Sequence, residues 1–302
     1  MSVNFQNEKF DQYFFSIYKE RWSLLFESLK NNEIQVLRKN KYVDNDYTQS
    51  FELYCLKIKE LDKYCNFYQV DSKKNVHNFV DNKGIHVFYK MDPASCIVAY
   101  ALGVNPDETI LDMCAAPGGK SLILAEALNG TGELILNEYS NSRRERLMHV
   151  VRDYIPHEYR QNIFVSGKDG NYYGLNKKEA FDRILVDAPC SGERHLLENS
   201  KEFLDWTKRR SENLAIRQYS LLSSAYLACR VNGQLVYSTC SISPLENDHV
   251  VAKLIKKRSV EIVRLAWLED ISFIEKTEYG YQILPDKCGF GPMYFSVIVK
   301  KN

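Results

Sequence analysis

The chain has 302 residues, of which 45% are hydrophobic and 26% are charged, and its formal net charge is +1. This composition excludes a disordered chain, and the net charge gives no global case for nucleic-acid binding. The eight cysteines form no CxxC pair, so we expect no metal site and no disulfide framework, which fits a reducing cytosol. The N-terminal residues lack the pattern of a signal or transit peptide, and no apolar run approaches about 18 residues. We therefore expect a cytoplasmic protein without a membrane span.

The first region, residues 1–90, is predicted to be mainly helical and then extended. Aromatic and aliphatic residues recur at helical spacing over residues 10–30, and residues 53–64 suggest a second helix. Short β-like runs, such as residues 85–89, follow. We expect this region to be an N-terminal extension that either packs on the rest of the chain or provides a binding surface.

From Met91 onward, strand and helix patterns alternate. Asp92 is expected to cap a helix that begins at Pro93. The strands are predicted over 110–114, 132–137, 162–166, 181–186 and 233–237, and the helices over 119–129, 140–154, 208–230 and 244–257. Repeated β-α-β units predict that residues 91–302 form a Rossmann-like α/β domain with a doubly wound, mostly parallel sheet.

A glycine turn joins the strand at 110–114 to the following helix. The turn reads Cys114-Ala115-Ala116-Pro117-Gly118-Gly119-Lys120. Glycine lets a ligand approach the backbone closely, and the free N–H groups at the helix start form a polar cradle. The unit predicts a nucleotide or nucleoside site, although the same residues are also ordinary turn chemistry. The turn lacks the Gly-x-Gly-x-x-Gly pattern, which disfavours a nicotinamide dehydrogenase.

Acidic residues follow several of the predicted strands. Because the carboxyl ends of parallel strands meet at one edge of a sheet, we expect Glu138, Asp169 and Asp187 to lie near the glycine turn. An acid at position 138 is suited to accept both hydroxyls of a ribose, and Asp169 is placed to hold an adenine amine. A surface acid at 138 and a plain Asp-Gly turn at 169–170 are the alternatives.

Two cysteines follow strands at the same edge, Cys190 in the run Asp187-Ala-Pro-Cys190 and Cys240 in Ser238-Thr-Cys240. Cytosine C5 is too weakly nucleophilic to accept a methyl group directly, but a thiolate that adds at C6 makes it nucleophilic. A nearby acid offsets the charge that builds up on the ring, and S-adenosyl-L-methionine supplies the methyl group. Lys120 would provide the electropositive setting that favours a thiolate.

The motifs at 114–120 (CAAPGGK), 187–191 (DAPCS) and 237–241 (YSTCS) closely resemble those of the Sun-domain RNA cytosine-5 methyltransferases. The three motifs occur in the order and spacing of that family. Residues 154–158, 193–196 and 290–295 are similar to the branch that includes the mitochondrial ribosomal-RNA enzyme. The resemblance covers residues 88–302 well and extends weakly into the N-terminal helices.

The resemblance implies a role for each matching position. Cys240 would attack cytosine C6, Cys190 would assist release of the product, and Asp187 would contact the target base and the methionine end of the cofactor. On chemistry alone, the two cysteines could exchange roles. The cofactor-binding residues implied are Cys114, Ala115, Ala116, Pro117, Gly118, Gly119 and Lys120 in the pocket, Glu138 at the ribose with Arg143 nearby, Asp169 and Gly170 on the adenine side, and Asp187.

RNA is the partner that this resemblance implies, and ribosomal RNA is preferred over tRNA. Members of the family usually carry a separate RNA-binding module or use a partner, and no such module is evident in the sequence, so a protein partner for RNA recruitment stays open. The other alternative is a non-catalytic RNA-binding ribosome assembly factor that has kept the fold. The intact Cys190, Cys240 and Asp187 argue against it.

Overall fold

The structure is a computed structural model that describes residues 7–31, 35–43, 54–55, 67–70 and 79–302. Its helices are α1 (Glu8–Tyr18), α2 (Trp22–Lys30), α3 (Pro93–Ala101), α4 (Gly119–Leu128), α5 (Asn141–Tyr154), α6 (Asn171–Asn176), α7 (Glu193–Glu198), α8 (Ser200–Leu204), α9 (Lys208–Ala228), α10 (Asp248–Ile255), α11 (Ala266–Glu269) and α12 (Pro285–Cys288). Its strands are β1 (Gln35–Lys39), β2 (Tyr54–Cys55), β3 (Phe67–Val70), β4 (Phe88–Lys90), β5 (Thr109–Asp112), β6 (Glu133–Asn137), β7 (Ile163–Ser166), β8 (Phe181–Asp187), β9 (Cys229–Thr239), β10 (Val260–Ile262), β11 (Ile274–Lys276), β12 (Tyr281–Ile283) and β13 (Met293–Lys300).

The large sheet has the strand order β11-β12-β13-β9-β8-β5-β6-β7, with β10 paired to β13. The five strands from β9 to β7 are parallel, whereas β10 to β13 are antiparallel to their neighbours. The chain reverses its order of strand addition after β7 and returns to the other side of β5. The predicted doubly wound, mostly parallel α/β fold is confirmed.

Helices cover both faces of this sheet because neighbouring residues of each strand point to opposite sides. Ile110 of β5 packs in the core on the side of α3 and α4, and Leu111 packs on the side of α9 and α10. Both side chains are fully buried. This double burial explains why the central strands read as apolar runs rather than as alternating patterns.

The N-terminal region starts with the predicted helices over 10–30, which form as α1 and α2. Their aromatic face, led by Phe10 and Phe14, packs against Phe203 and Trp206 beyond α7. A four-stranded antiparallel sheet of order β2-β3-β1-β4 follows. The helix predicted over 53–64 is wrong at residues 54–55, which belong to β2, and its other residues lie outside the described ranges.

β4 leads directly into α3, and the predicted cap is present at the junction. The Asp92 carboxylate accepts a hydrogen bond from the backbone N–H of Ala94 at 2.7 Å, and Pro93 occupies the first turn. Asp92 also accepts from the N–H of Gly291 at 2.9 Å, which ties this junction to the segment before β13. Within the described ranges, no helix has both the length and the apolar content needed to cross a membrane.

Candidate active site

The turn between β5 and α4 is shaped by two glycines. Gly118 has φ +118°, and a Cβ there would lie 2.9 Å from the Val150 side chain on α5. A Cβ at Gly119 would lie 2.8 Å from the ring of Tyr89. The glycines therefore make room first for α5 and for Tyr89, because a side chain at either position would collide with them. Gly118 lines neither of the two cavities beside the thiols, and its predicted place in the cofactor pocket stays a prediction.

A cavity of about 150 Å³ opens beside this turn at the carboxyl edge of β5 and β8. Seven of the predicted residues line it, namely Cys114, Ala115, Ala116, Pro117, Gly119, Lys120 and Asp187. The remaining wall consists of Tyr89, Lys90, Met91, Asp92, Ser95 and Asp112. The glycine turn and the end of β8 thus meet as the sequence predicted, with segment 89–95 closing the cavity from the N-terminal side.

Asp112 was not predicted as a site residue, although it ends β5. The carboxyl group is buried, its Oδ2 accepts a hydrogen bond from Ser121 Oγ at 2.7 Å, and its Oδ1 has no hydrogen-bond partner within the described structure. Burial raises the pKa of Asp112 to about 7. An acceptor without a partner in a cavity wall is suited to a cationic ligand group, such as an ammonium. The signal that could have found Asp112 is its place at the end of a strand, which is the same signal that identified Glu138 and Asp187.

Lys120 and Asp187 form an ion pair on the floor of the cavity. Lys120 Nζ lies 2.8 Å from Asp187 Oδ2 and 3.3 Å from Ser95 Oγ, and Ser238 Oγ donates to Asp187 Oδ1 at 2.8 Å. Burial alone would lower the pKa of Lys120, but the charge of Asp187 and its hydrogen bond outweigh burial and raise it. A thiolate at Cys240 would act in the same direction. A fixed ammonium group therefore stands near that thiol, as the sequence predicted.

The two predicted cysteines are brought together because β8 and β9 are parallel neighbours. Asp187 pairs with Ser238 in register, so the chain leaves both strands side by side. Cys190 Sγ lies 2.7 Å from Cys240 Sγ, and the backbone N–H of Cys240 donates to Cys190 Sγ at 3.2 Å. The pKa of Cys190 is raised well above its usual range, first by the hydrogen bond with the Cys240 thiol and second by burial. Cys190 is thereby held as the neutral thiol.

A buried carboxylate, which the sequence analysis did not assign, holds the two cysteine loops in place. Glu193 accepts hydrogen bonds from Ser191 Oγ, from Ser241 Oγ at 3.2 Å and from the N–H of Ile242 at 2.9 Å. Burial and the neighbouring charge of Glu246 raise the pKa of Glu193. Because each serine follows one of the cysteines, Glu193 fixes the spacing of the two thiols.

A second, larger cavity of about 360 Å³ opens on the Cys240 side of the thiol pair. It shares Lys90, Met91, Asp92 and Ser95 with the smaller cavity, so the two are neighbours across one wall. Its other lining residues are Val36, Pro93, Gly192, Arg194, His195, Cys240, Gly289, Phe290, Gly291, Pro292 and Met293. Cys240 lines this cavity and Cys190 lines neither, which makes the two sulfurs inequivalent.

Glu138 and Arg143 lie beside the glycine turn but do not line the smaller cavity. Glu138 is buried, and its Oε1 accepts a hydrogen bond from the N–H of Ser140 at 2.9 Å. Arg143 Nη1 lies 3.5 Å from Glu138 Oε2, and its Nη2 donates to the carbonyl of Ala116 at 2.6 Å. The pair thus links the end of β6 to the turn.

Asp169 and Gly170 lie farther along the same edge and also do not line the smaller cavity. Asp169 Oδ2 forms an ion pair with Arg217 of α9 at 2.7 Å. Burial opposes ionisation of Asp169, but its bonds to Arg217 and Asn171 outweigh burial and lower its pKa. A Cβ at Gly170 would collide with Leu221, so this glycine allows α9 to pack closely. Arg217 was not identified from the sequence.

Comparisons with known proteins agree with this geometry. Over 231 residues the chain is 36% identical to the 5-cytosine rRNA methyltransferase NSUN4 of Bos taurus, covering 70% of this chain and 59% of the relative. It is 34% identical over 222 residues to the mitochondrial tRNA (cytosine(34)-C(5))-methyltransferase of Mus musculus, covering 70% and 64%. The chain therefore spans about three-fifths of the length of these relatives.

Among solved structures, that of NSun6 from Pyrococcus horikoshii with SFG superposes with a TM-score of 0.80 at 19% identity, covering 98% of each chain. At this identity the likeness supports the fold. The superposed part includes most of the N-terminal region, so the fold shared with this structure is not limited to the α/β sheet.

The prediction of a cytoplasmic location is wrong. The similar mouse tRNA methyltransferase is mitochondrial by name, and the relatives point to mitochondria rather than to the cytoplasm. The sequence argument rested on the lack of a recognisable targeting pattern, and such a lack carries no positive information about location.

The strongest of these findings is the match of residues 99–299, more than half of the chain, to the family model described as 16S rRNA methyltransferase RsmB/F. Methyltransferases of this family depend on S-adenosyl-L-methionine, which confirms the predicted cofactor. The orphaned Oδ1 of Asp112 in the smaller cavity fits a cofactor that carries an ammonium group. The chain belongs to the RsmB/F family of methyltransferases.

Proposed function

We propose that this chain methylates C5 of cytosine in RNA, with S-adenosyl-L-methionine as the methyl donor and ribosomal RNA as the substrate. The observation that carries the proposal is the pair of thiols, with Cys240 lining the larger of two adjoining cavities. One cavity suits the cofactor, and the other has the size and the nucleophile for a nucleoside. The family description and the bovine relative's name favour ribosomal RNA.

In this proposal the smaller cavity holds the cofactor. Asp112 accepts from its ammonium group, and residues 114–117 and 119–120 line its path. Glu138 with Arg143 binds the ribose of the cofactor, and Asp169 with Gly170 binds its adenine. Gly118 lets the turn before α4 pack closely against α5. When bound, S-adenosyl-L-methionine supplies a methyl group from its sulfonium.

Cys240 acts as the nucleophile. Its thiolate adds to C6 of the cytosine, which moves electron density onto N3 and C5, and Lys120 offsets the charge near the sulfur. Asp187, held by Lys120 and Ser238, stands beside the target base. After C5 has gained the methyl group, a base takes the C5 proton, the electron pair of the C–H bond re-forms the C5–C6 double bond, and Cys240 leaves as the thiolate. Cys190, kept as a neutral thiol, assists this release.

The mouse tRNA relative favours a second substrate, tRNA, for the same chemistry. The domain division of the sequence analysis belongs to the proposal as well, with residues 1–90 as an extension and residues 91–302 as the catalytic domain. A hydrogen bond between the hydroxyls of Tyr13 and Ser243, and one that Tyr18 donates to the carbonyl of Ile242, support a packing role for the extension. A net charge of +1 favours a protein partner for RNA recruitment.

The test is methyl transfer from labelled S-adenosyl-L-methionine to unmethylated total RNA, with 5-methylcytosine measured by mass spectrometry and located by bisulfite sequencing. Cys240→Ala should lower the rate by at least about 1000-fold. Cys190→Ala should accumulate RNA covalently bound to protein, because release is slowed. Cys229→Ala, at the opposite end of β9, is the matched control and should retain activity. An active Cys240→Ala variant beside an inactive Cys190→Ala variant would reverse the assignment, and no product from any RNA would refute the activity.

A further inference from the structure

The larger cavity contains a buried cation that no step of the proposed reaction uses. Arg194, on α7, lines this cavity together with Cys240 and is only 9% exposed. Its Nε and Nη2 atoms are buried and have no hydrogen-bond partner in the part of the chain that the structure describes. A buried donor without a partner is costly, and more so when it carries a charge.

No neighbouring carboxylate neutralises this guanidinium. Among the described residues, no acid lies within ion-pair distance of Arg194. Asp92 and, to a smaller extent, Glu198 act on Arg194 through charge, and Asp92 already accepts backbone hydrogen bonds with each of its oxygens, from Ala94 and Gly291. Burial lowers the pKa of Arg194, but a guanidinium stays charged in proteins. Arg38 differs in two respects: its Nη1 holds Glu126 at 2.8 Å, and it lines neither cavity beside the thiols, although its own Nε and Nη2 also have no partner among the described residues.

The two unpartnered nitrogens define the ligand. Nε and Nη2 lie on the same edge of the guanidinium plane, and their parallel N–H bonds match two oxygens of one phosphate. The O2 and N3 atoms of a cytosine also match this fork, but a neutral base would leave the buried charge of Arg194 uncompensated, whereas a phosphate neutralises it. Lys90 and His195, which line the same cavity, add cationic or donor groups, and Asp92 is the one acid in its described lining.

We propose that Arg194 binds a phosphate of the RNA backbone next to the target cytosine and so holds the extruded nucleotide against Cys240. This inference rests on the proposed function, because it takes the larger cavity as the nucleoside site. A base that leaves its stack carries its own phosphates with it, so an anion necessarily arrives at the cavity together with the cytosine. Arg194 is thereby a substrate-binding residue whose ligand is the phosphodiester.

The test measures protection of Cys240 from alkylation by iodoacetamide, located by mass spectrometry, so that it does not depend on methyl transfer. Cytidine, cytidine 5′-monophosphate, cytidine 3′-monophosphate and inorganic phosphate are the probes. In the wild type, one monophosphate should protect at a roughly 10- to 100-fold lower concentration than cytidine. Arg194→Gln should remove that advantage and leave protection by cytidine unchanged. Arg194→Lys, which keeps the charge but loses the pair of parallel N–H donors, should retain part of the advantage of the monophosphate.

Arg210→Gln, which removes an exposed cation of α9 paired with Glu202, is the matched control and should behave as the wild type. If Arg194→Gln does not fold, as judged by thermal unfolding, Arg194→Lys still decides the question.

An unchanged phosphate advantage in the variants overturns the assignment, as does an equal loss for cytidine and its monophosphates, which would place Arg194 on the base. A wild type that methylates RNA but shows no phosphate advantage overturns it and spares the proposed function. A phosphate advantage that depends on Arg194, without methylation of any RNA, supports the phosphate site and refutes the proposed function.

Discussion

At the scale of single residues, each of the two cavities is lined by a buried side chain that has a polar atom without a hydrogen-bond partner among the described residues. Asp112, which lines the smaller cavity, has one buried oxygen without a partner among the described residues, and Arg194, which lines the larger cavity, has two such nitrogens. The sequence identified Asp187, Cys190 and Cys240 because each follows a strand within a motif. It missed Arg194 because a charge in a short helix reads as a surface residue, and only the folded chain shows that it is enclosed.

The pKa of Asp112 predicts how stability depends on pH. The folded state raises this pKa from 3.8 to about 7, so it favours the protonated carboxyl group. The resulting stabilisation is fully present below pH 3.8 and is lost as the pH rises to about 7. Relative to Asp112→Asn, the wild type should lose up to about 3 kcal/mol of unfolding free energy between pH 5 and pH 7.

Urea unfolding of both proteins without cofactor, at a series of pH values, measures this difference. Asn keeps an oxygen that can accept the hydrogen bond from Ser121, so the variant removes the titration with little change in shape. Unfolding free energies that stay parallel over the whole pH range would show that Asp112 is not protonated in the folded protein.

At the scale of elements, the sequence predicted what is encoded locally. The alternation of strands and helices from β5 to β9 follows from short apolar runs and helical periodicity, and their bounds agree within a few residues. The N-terminal sheet was not predicted, because its strands have two to five residues and β1 pairs with β3 across more than twenty residues. Such pairing leaves no local signal. The order of the antiparallel strands β10 to β13 was hidden for the same reason.

The glycine turn before α4 yields a prediction that separates two causes of strain. At Gly84, φ is +79° and a Cβ would meet nothing within 4 Å, so Gly84→Ala should cost only the strained backbone, about 1–2 kcal/mol. At Gly118 the positive φ is combined with a collision against Val150. Gly118→Ala should therefore cost about 3 kcal/mol or more.

Urea unfolding of the two variants measures these costs, and Val150→Ala provides the check on their origin. If the collision contributes, Gly118→Ala combined with Val150→Ala should lose less than the sum of the two single changes. Equal losses for Gly84→Ala and Gly118→Ala, with additive behaviour in the double variant, would show that packing against α5 is irrelevant to this turn.

On the scale of the whole molecule, the N-terminal region supports the site from two sides. Tyr18 on α1 donates to the carbonyl of Ile242 at 2.7 Å, directly behind the Cys240 loop. On the other side, Asn40, which follows β1, donates to the carbonyl of Tyr154 at the end of α5. The sequence had left open whether this region packs or binds RNA, because composition cannot distinguish an aromatic face that is buried from one that is exposed. The described residues place the face of α1 in a shared core.

The ion pair between Arg38 and Glu126 connects the N-terminal sheet to α4 and tests whether both parts unfold together. Both side chains are almost fully buried. Arg38→Met alone leaves a buried carboxylate without its partner and should cost about 3–5 kcal/mol. Combining it with Glu126→Leu should recover most of that loss, because well-packed apolar residues replace a buried pair at little net cost.

The unfolding transition distinguishes two arrangements of the molecule. If the N-terminal sheet and the α/β sheet form one cooperative unit, Arg38→Met should shift a single urea transition, with fluorescence and circular dichroism changing together. If they are separate units, the N-terminal region should unfold first and the transition should split. In the cooperative case the effect reaches the thiols, because α1, β1 and the Cys240 loop share one packed structure. The stability of the active site is then set partly by a charge pair between β1 and α4, remote in sequence from both cysteines.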